Sequence, residues 1–260
     1  MLTKIILTIS AILLLAGGIF AQENKEVAVQ PKQDPGKPTE PAAVPKVVIT
    51  AQSTPLELAK IAQIAHGGDK FKNLKSVVIR GSADASAPGS TQTISASFYI
   101  VLAGDRSRFE LNNPLSPFTQ IFDGEQLYNS LPQIQIPPMS RIAISLLQKV
   151  DEKGYTLSAL PDKKKKRGFR ITTPDGYATD FYLDQLTGLV DSIEAKFTVD
   201  GRDITTAVIQ DKYRLVDGLM IPEKFSQRLE FSGMSIYASF KAKDILINSE
   251  LPENTFIIPQ

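Results

Sequence analysis

From residue 54 onward, apolar and polar positions first follow a helical period and then a period of two. Thr54 is placed to cap a helix, with Pro55 at its first position and Glu57 three residues after the cap, the pattern of a capping box. Leu56, Ala59, Ile61, Ala62 and Ile64 supply an apolar stripe, and Gly67-Gly68 offers the left-handed stop at which helices end. Such a stripe needs a sheet to lie against.

The strands follow. Ile94, Ala96, Phe98, Ile100 and Leu102 alternate with polar residues. The same alternation recurs at Leu189, Ile193, Ala195, Phe197 and Val199, and again at Leu219, Ile221, Phe225, Leu229 and Phe231. Strict alternation marks half-buried antiparallel strands. Between them stand Asp123-Gly124, Asp175-Gly176, Thr187-Gly188, Asp200-Gly201, Asp217-Gly218 and Ser232-Gly233, turn pairs that make consecutive strands neighbours. In the last strand the apolar phase shifts between Phe240 and Ile245, which predicts a bulge near Asp244. One stretch breaks the pattern: after Pro137-Pro138, residues Met139, Ile142, Leu146, Leu147 and Val150 fall at helical spacing before Gly154. The expectation is an α+β domain over 54–260, a long antiparallel meander with an N-terminal helix and a short inserted helix.

What precedes the domain has a different character. Lys4, the apolar run Ile5 to Leu15, and the small residues Ala16, Gly17, Gly18 and Ala21 have the grammar of a secretion signal over 1–21, with cleavage near Ala21 or after Gly18. The run is shorter than the roughly 20 residues that cross a bilayer, which favours cleavage over a retained anchor. Residues 22–53 carry Pro31, Pro35, Pro38, Pro41 and Pro45 and no aromatic side chain, and form a disordered proline-rich tether. Proline spacing of this kind extends a chain by about 3 Å per residue. Export to the periplasm, or beyond the cytoplasm, follows as the expected localisation.

Composition narrows the chemistry. With no cysteine there are no disulfides and no thiol to carry a lipid, so the fold must depend on its core. Lys+Arg 29 against Asp+Glu 28 gives no reason to expect nucleic acid as a partner. Catalysis needs converging nucleophiles, bases or metal ligands, and the chain has one histidine, His66, and no motif that assembles them. His66, beside Gly67, reads first as a capping or surface residue and second as a metal or catalytic group. No enzymatic activity, metal or cofactor is expected. The run Lys163, Lys164, Lys165, Lys166 and Arg167 has two readings: a solvated turn guarding a strand edge, or a transient contact with anionic membrane.

Several short strings resemble one family. Gly104-Asp105-Arg106-Ser107-Arg108-Phe109-Glu110 followed by Ile121-Phe122-Asp123-Gly124-Glu125-Gln126-Leu127-Tyr128 resembles the "basic residue, Phe, DG turn, aromatic strand" passage of the periplasmic LolA-type lipoprotein-sorting proteins, the lipoprotein-carrier superfamily. Leu183 to Leu189, Asp217 to Pro222, and the "polar, Leu-Pro, acidic, Phe" ending from Asn248 to Phe256 resemble its later hairpins and close. The resemblance covers most of residues 55–260. It implies a strongly curved, unclosed β-barrel whose concave apolar face, covered by helices, takes acyl chains of a lipid or a lipidated protein; a related module sensing another envelope protein is the alternative. On this reading Phe98, Ile100, Phe109, Phe122, Phe181, Phe197, Phe225 and Phe240 line the core or the groove. Ile142 and Leu146 belong to the cover, Arg106 or Arg108 latches it, and the protein acts as a monomer.

Overall fold

The computed structural model describes residues 48–86, 92–132, 136–163, 166–199, 201–231 and 234–259. The expected signal (1–21), residues 22–47 of the expected tether, Lys164, Lys165, Asp200 and the Ser232-Gly233 pair lie outside the described residues.

Helix α1 (Pro55–Ala65) starts as its sequence dictates, with Thr54 and Glu57 exchanging side-chain and backbone bonds in a complete capping box. Its buried face differs from the expected stripe. Leu58, Ala59, Ala62 and Ala65 are buried, whereas Leu56 and Ile64 are 48% exposed. Positions 58, 62 and 65 share one side of a 3.6-residue helix, and small alanines there let the backbone approach the sheet closely. A short helix α2 (Asp69–Lys72) follows and buries Phe71.

Among the described residues twelve strands form one antiparallel sheet. From the centre to one edge run β1 (Val77–Ser86), β2 (Ile94–Ala103), β3 (Arg106–Asn112), β4 (Phe118–Phe122) and β5 (Leu127–Asn129). From the other edge back to the centre run β6 (Thr156–Ala159), β7 (Gly168–Thr172), β8 (Ala178–Leu183), β9 (Val190–Val199), β10 (Arg202–Val216), β11 (Leu219–Phe231) and β12 (Met234–Ile247), and β12 pairs with β1. Every consecutive pair within each run is hydrogen-bonded, as the turn pairs require; β5 and β6 are the free edges, so the barrel is unclosed.

Ring contacts measure the curvature. Strands lie about 4.8 Å apart, so β2 and β11 are separated by about 14 Å along a flat sheet. The rings of Phe98 and Phe225, on those two strands, meet with centroids 6.1 Å apart, and Phe98 meets Phe240 of β12 at 5.3 Å. The bend is built at one place. Arg80 faces Asp244 and Gly81 faces Ala242, leaving Lys243 as the extra residue of a bulge where the phase shift near Asp244 predicts one. A Cβ on Gly81 would stand 2.0 Å from the Lys241 carbonyl oxygen and 2.8 Å from the Phe98 ring. Bulge and glycine together are what curve a sheet.

The main core lies between the concave face, α1 and the inserted segment. A second, smaller core of Val78, Val101, Ala103, Ile121 and Phe256 covers the opposite face under the C-terminal 3₁₀ turn Glu253–Phe256. The inserted segment is not an α-helix but two 3₁₀ turns, Met139–Arg141 and Ile144–Lys149, neither with a side-chain cap. It joins the two free edges, and a 3₁₀ turn covers about 2.0 Å per residue against 1.5 Å for an α-helix.

Candidate functional site

An apolar cavity of about 150 Å³ opens between the concave face and the inserted segment. Its floor is made by Val77 and Ile79 of β1, Ile100 and Leu102 of β2, Ile193 of β9, Val208 of β10, and Ile221 and Phe225 of β11. Its roof is Met139, Ile142, Ala143 and Ile144, and Phe71 and Leu74 close one side.

Polar bonds at the rim hold the roof down. The Ser140 hydroxyl donates to the Asp105 carbonyl oxygen at 2.7 Å. The Asp105 carboxylate, in the turn between β2 and β3, meets Arg141 at 3.1 Å and also Lys149. Arg141 continues to Asp175, in the β7–β8 turn, at 3.2 Å. At the far end Asp151 pairs with Lys60 of α1 and with Lys72 of α2. Two amides bridge roof and helices: Gln63 donates to the Leu147 carbonyl at 2.6 Å, and Gln148 to those of Phe71 and Leu74 at 2.7 and 3.1 Å. Partial burial pushes the Asp105 carboxyl up, but Lys149 and Arg141 outweigh it and hold the group below its ordinary range. Leu146 and Leu147 are wholly buried and anchor the roof in the main core.

Of the residues expected to line the core or groove, Ile100 and Phe225 line the cavity, and Ile142 lines it from the roof. Four of the other expected aromatics, Phe98, Phe109, Phe181 and Phe240, meet other rings. Phe240 stacks on Phe225 at 4.7 Å, Phe181 on Phe169 at 5.5 Å, and Phe109 meets Phe118 edge to face at 6.0 Å. Phe98 is buried between Phe225 and Phe240, Phe122 lies under the Arg141 guanidinium, and Phe197 is half-buried outside the lining. Large rings fill the space where they meet; the hollow lies where shorter aliphatic chains face one another and cannot. Val77, Ile79, Ile193, Val208 and Ile221 line the hollow without being among the residues expected to, because nothing in their strand pattern separates them from ordinary core positions.

Arg106 lies over the Phe256 ring, and Arg108 bonds Glu110 and the Thr255 carbonyl, so both reach the C-terminal turn. In the Lys-rich run, Lys163 pairs with Glu194, Lys166 with Asp191, and Arg167 with Asp162 and the carbonyls of Ala51 and Ser53. Lys163 and Lys166 also bond each other's backbone across the turn between β6 and β7.

His66 is fully buried rather than exposed, at the C-cap of α1. Its Nδ1–H donates to the Met220 carbonyl at 2.9 Å, and Nε2 accepts from the Val190 amide at 3.3 Å, which fixes a neutral tautomer. Burial lowers its pKa to about 4, against the smaller opposing effect of the Met220 bond. It ties the end of α1 to β9 and β11. Among the described residues no three His, Asp or Glu side chains gather as a metal site.

The comparison that bears on this geometry is with solved structures. A LolA superfamily protein from Nitrosomonas europaea matches over 79% of this chain and 98% of its own, at 15% identity and a TM-score of 0.50. The fold is LolA-like. A DUF1329 family protein from Desulfovibrio piger matches over 79% and 98% at 10% identity (TM-score 0.44). A putative outer membrane lipoprotein-sorting protein domain from Vibrio parahaemolyticus matches over 76% and 95% at 11% identity (TM-score 0.46). No protein-family model matches the sequence, and no curated protein compared with it does. Among the described residues no helix of this LolA-like domain is long and apolar enough to cross a membrane.

Proposed function

We propose that this protein is an exported, non-enzymatic binding or carrier module that holds acyl chains of a lipid or lipidated protein beneath its 3₁₀ roof. The observation that carries the reading is the apolar cavity between the concave face and a segment fixed to both rims by side-chain bonds. Each methylene buried there is worth about 0.8 kcal/mol.

The cavity volume adds a condition. A cavity of about 150 Å³ takes one benzene-sized group. A long acyl chain therefore enters only as the roof yields, and the roof's hold is polar at the rim, where water competes for it. The sequence resemblance to the lipoprotein-carrier superfamily implies the same placement of cargo, on the concave side.

Native mass spectrometry of protein purified from a cell-envelope fraction tests the proposal. Co-bound lipid, released on unfolding, is expected. A consistently ligand-free species that also fails to take up added phospholipid refutes it.

A further inference from the structure

The cavity is not uniformly apolar. Thr206 and Gln210 of β10 and Gln227 of β11 line it, together with Ser145 of the roof. Thr206, Val208 and Gln210 alternate onto the concave face, and Gln227 stands opposite Val208 in the register, so the two amides are diagonal neighbours on adjacent strands. Gln227 donates to the Thr206 hydroxyl at 3.0 Å. The Gln210 Oε1 and Ser145 Oγ atoms are buried and have no hydrogen-bond partner. Such atoms are rare in folded proteins, and leaving one unmet weakens a fold measurably.

The geometry points to a polar subsite within the groove: Gln210 receives a neutral hydrogen-bond donor carried by the ligand, a hydroxyl or an amide N–H attached to its hydrocarbon. This deepens the acyl-chain reading above and rests on it. The unmet atom on Gln210 is an acceptor, so the ligand group must donate. A neutral group suits the site better than an ion, because the one charged residue that lines the cavity, Lys75, is itself exposed to water, and an unpaired charge in an apolar space is far more costly than a hydroxyl. An ester or a plain alkyl chain has no proton to give the Gln210 oxygen. The groove accordingly prefers hydroxylated or amide-linked chains over plain hydrocarbon.

Dodecanol and methyl undecyl ether are isomers that differ in one respect that matters here: the alcohol donates a hydrogen bond and the ether cannot. Their affinities for the purified protein follow from displacement of the apolar dye anilinonaphthalene sulfonate. The ratio of alcohol to ether affinity is the readout, compared between the native protein and Gln210→Met, which keeps the side-chain length and removes the amide. The ratio falls about five- to tenfold in the variant. Gln210→Leu lowers it in the same direction, and serves alone if Gln210→Met does not fold. A ratio unchanged in both variants overturns the subsite, as when a resident water meets Gln210, while leaving the groove reading intact. If neither isomer displaces the dye from native protein, the groove reading fails and the subsite with it.

Discussion

Replacing Asp105 by Asn tests how the roof is held. The carboxylate meets both Arg141 and Lys149, whose side chains are mostly buried at 16% and 14% exposed, while Asp105 itself is 48% exposed. Half-exposed pairs of this kind are worth about 0.5 to 1 kcal/mol each. Losing two weakens the closed state by roughly 1 to 2 kcal/mol, which is about tenfold in the population of opened roof. Hydrogen exchange read by mass spectrometry reports that population at the amides of Arg141, Ile142 and Leu146, each bonded within the roof. They are expected to exchange about tenfold faster in Asp105→Asn, with the β1 and β12 amides unchanged. Salt near 1 M shortens the screening length to about 3 Å and brings the native protein toward the variant. The pH sign follows from a carboxyl held below its ordinary value of 3.8: the contribution is complete above that value and is lost as pH falls through the lower folded-state value. Roof exchange unchanged in the variant, or faster exchange spread evenly over the whole sheet, refutes the rim bonds as the roof's hold.

Three further outcomes follow from the same geometry. His66, with its folded pKa near 4 against 6.5 unfolded, stays neutral in the core, so stability is complete above pH 6.5 and falls by about 3 kcal/mol as pH drops toward 4. In His66→Asn, pH-dependent urea unfolding loses most of that slope; an unchanged slope contradicts the assignment. Gly81→Ala drives a methyl group against the Lys241 carbonyl and the Phe98 ring, and chemical unfolding is expected to show a loss of about 3 kcal/mol or more; near-native stability argues against the glycine-and-bulge account of the bend. Leu146→Ala removes a wholly buried anchor of the roof at a cost of about 2 to 5 kcal/mol and increases apolar dye uptake; lower stability without added uptake places Leu146 in the core alone.

Legibility in the sequence followed the range of the interaction. The capping box at Thr54 and Glu57, the turn pairs and the bulge opposite Gly81 are set by residues a few positions apart, and their chemistry is visible in the string. The buried face of α1 is not, because Leu56 and Ile64 are as apolar as Leu58 and only the sheet decides which side is covered. His66 is the same case: next to a glycine it resembles a surface cap, and its burial comes from Met220 and Val190, far along the chain. The inserted segment buries Leu146 and Leu147 at the expected apolar positions but as two 3₁₀ turns, a form that apolar spacing alone does not distinguish from an α-helix. At the site, the strand pattern located the concave face, while the hollow within it depends on which side chains fail to meet across strands. Thr206 and Gln210 carry a signal that was available, polar residues at inward positions of an alternating strand.

Why this fold has a roof at all is a matter of chain order. The chain enters the sheet at its centre with β1, walks outward to β5, and returns from β6 to β12 beside β1. Both free edges are therefore consecutive in sequence, and one connection, residues 130–155, must pass from one to the other. A curved sheet brings its edges toward each other, so the shortest such path lies over the concave face. That path has to be apolar beneath, where Leu146 and Leu147 enter the core, and polar at its ends, where it meets the rim turns carrying Asp105 and Asp175. A closed barrel pairs its edge strands to each other by backbone bonds and opens only by breaking the sheet. Here the two edges are joined by a short segment fixed at its rim mainly through side chains, so on the proposed reading the concave face is uncovered without breaking any strand pairing.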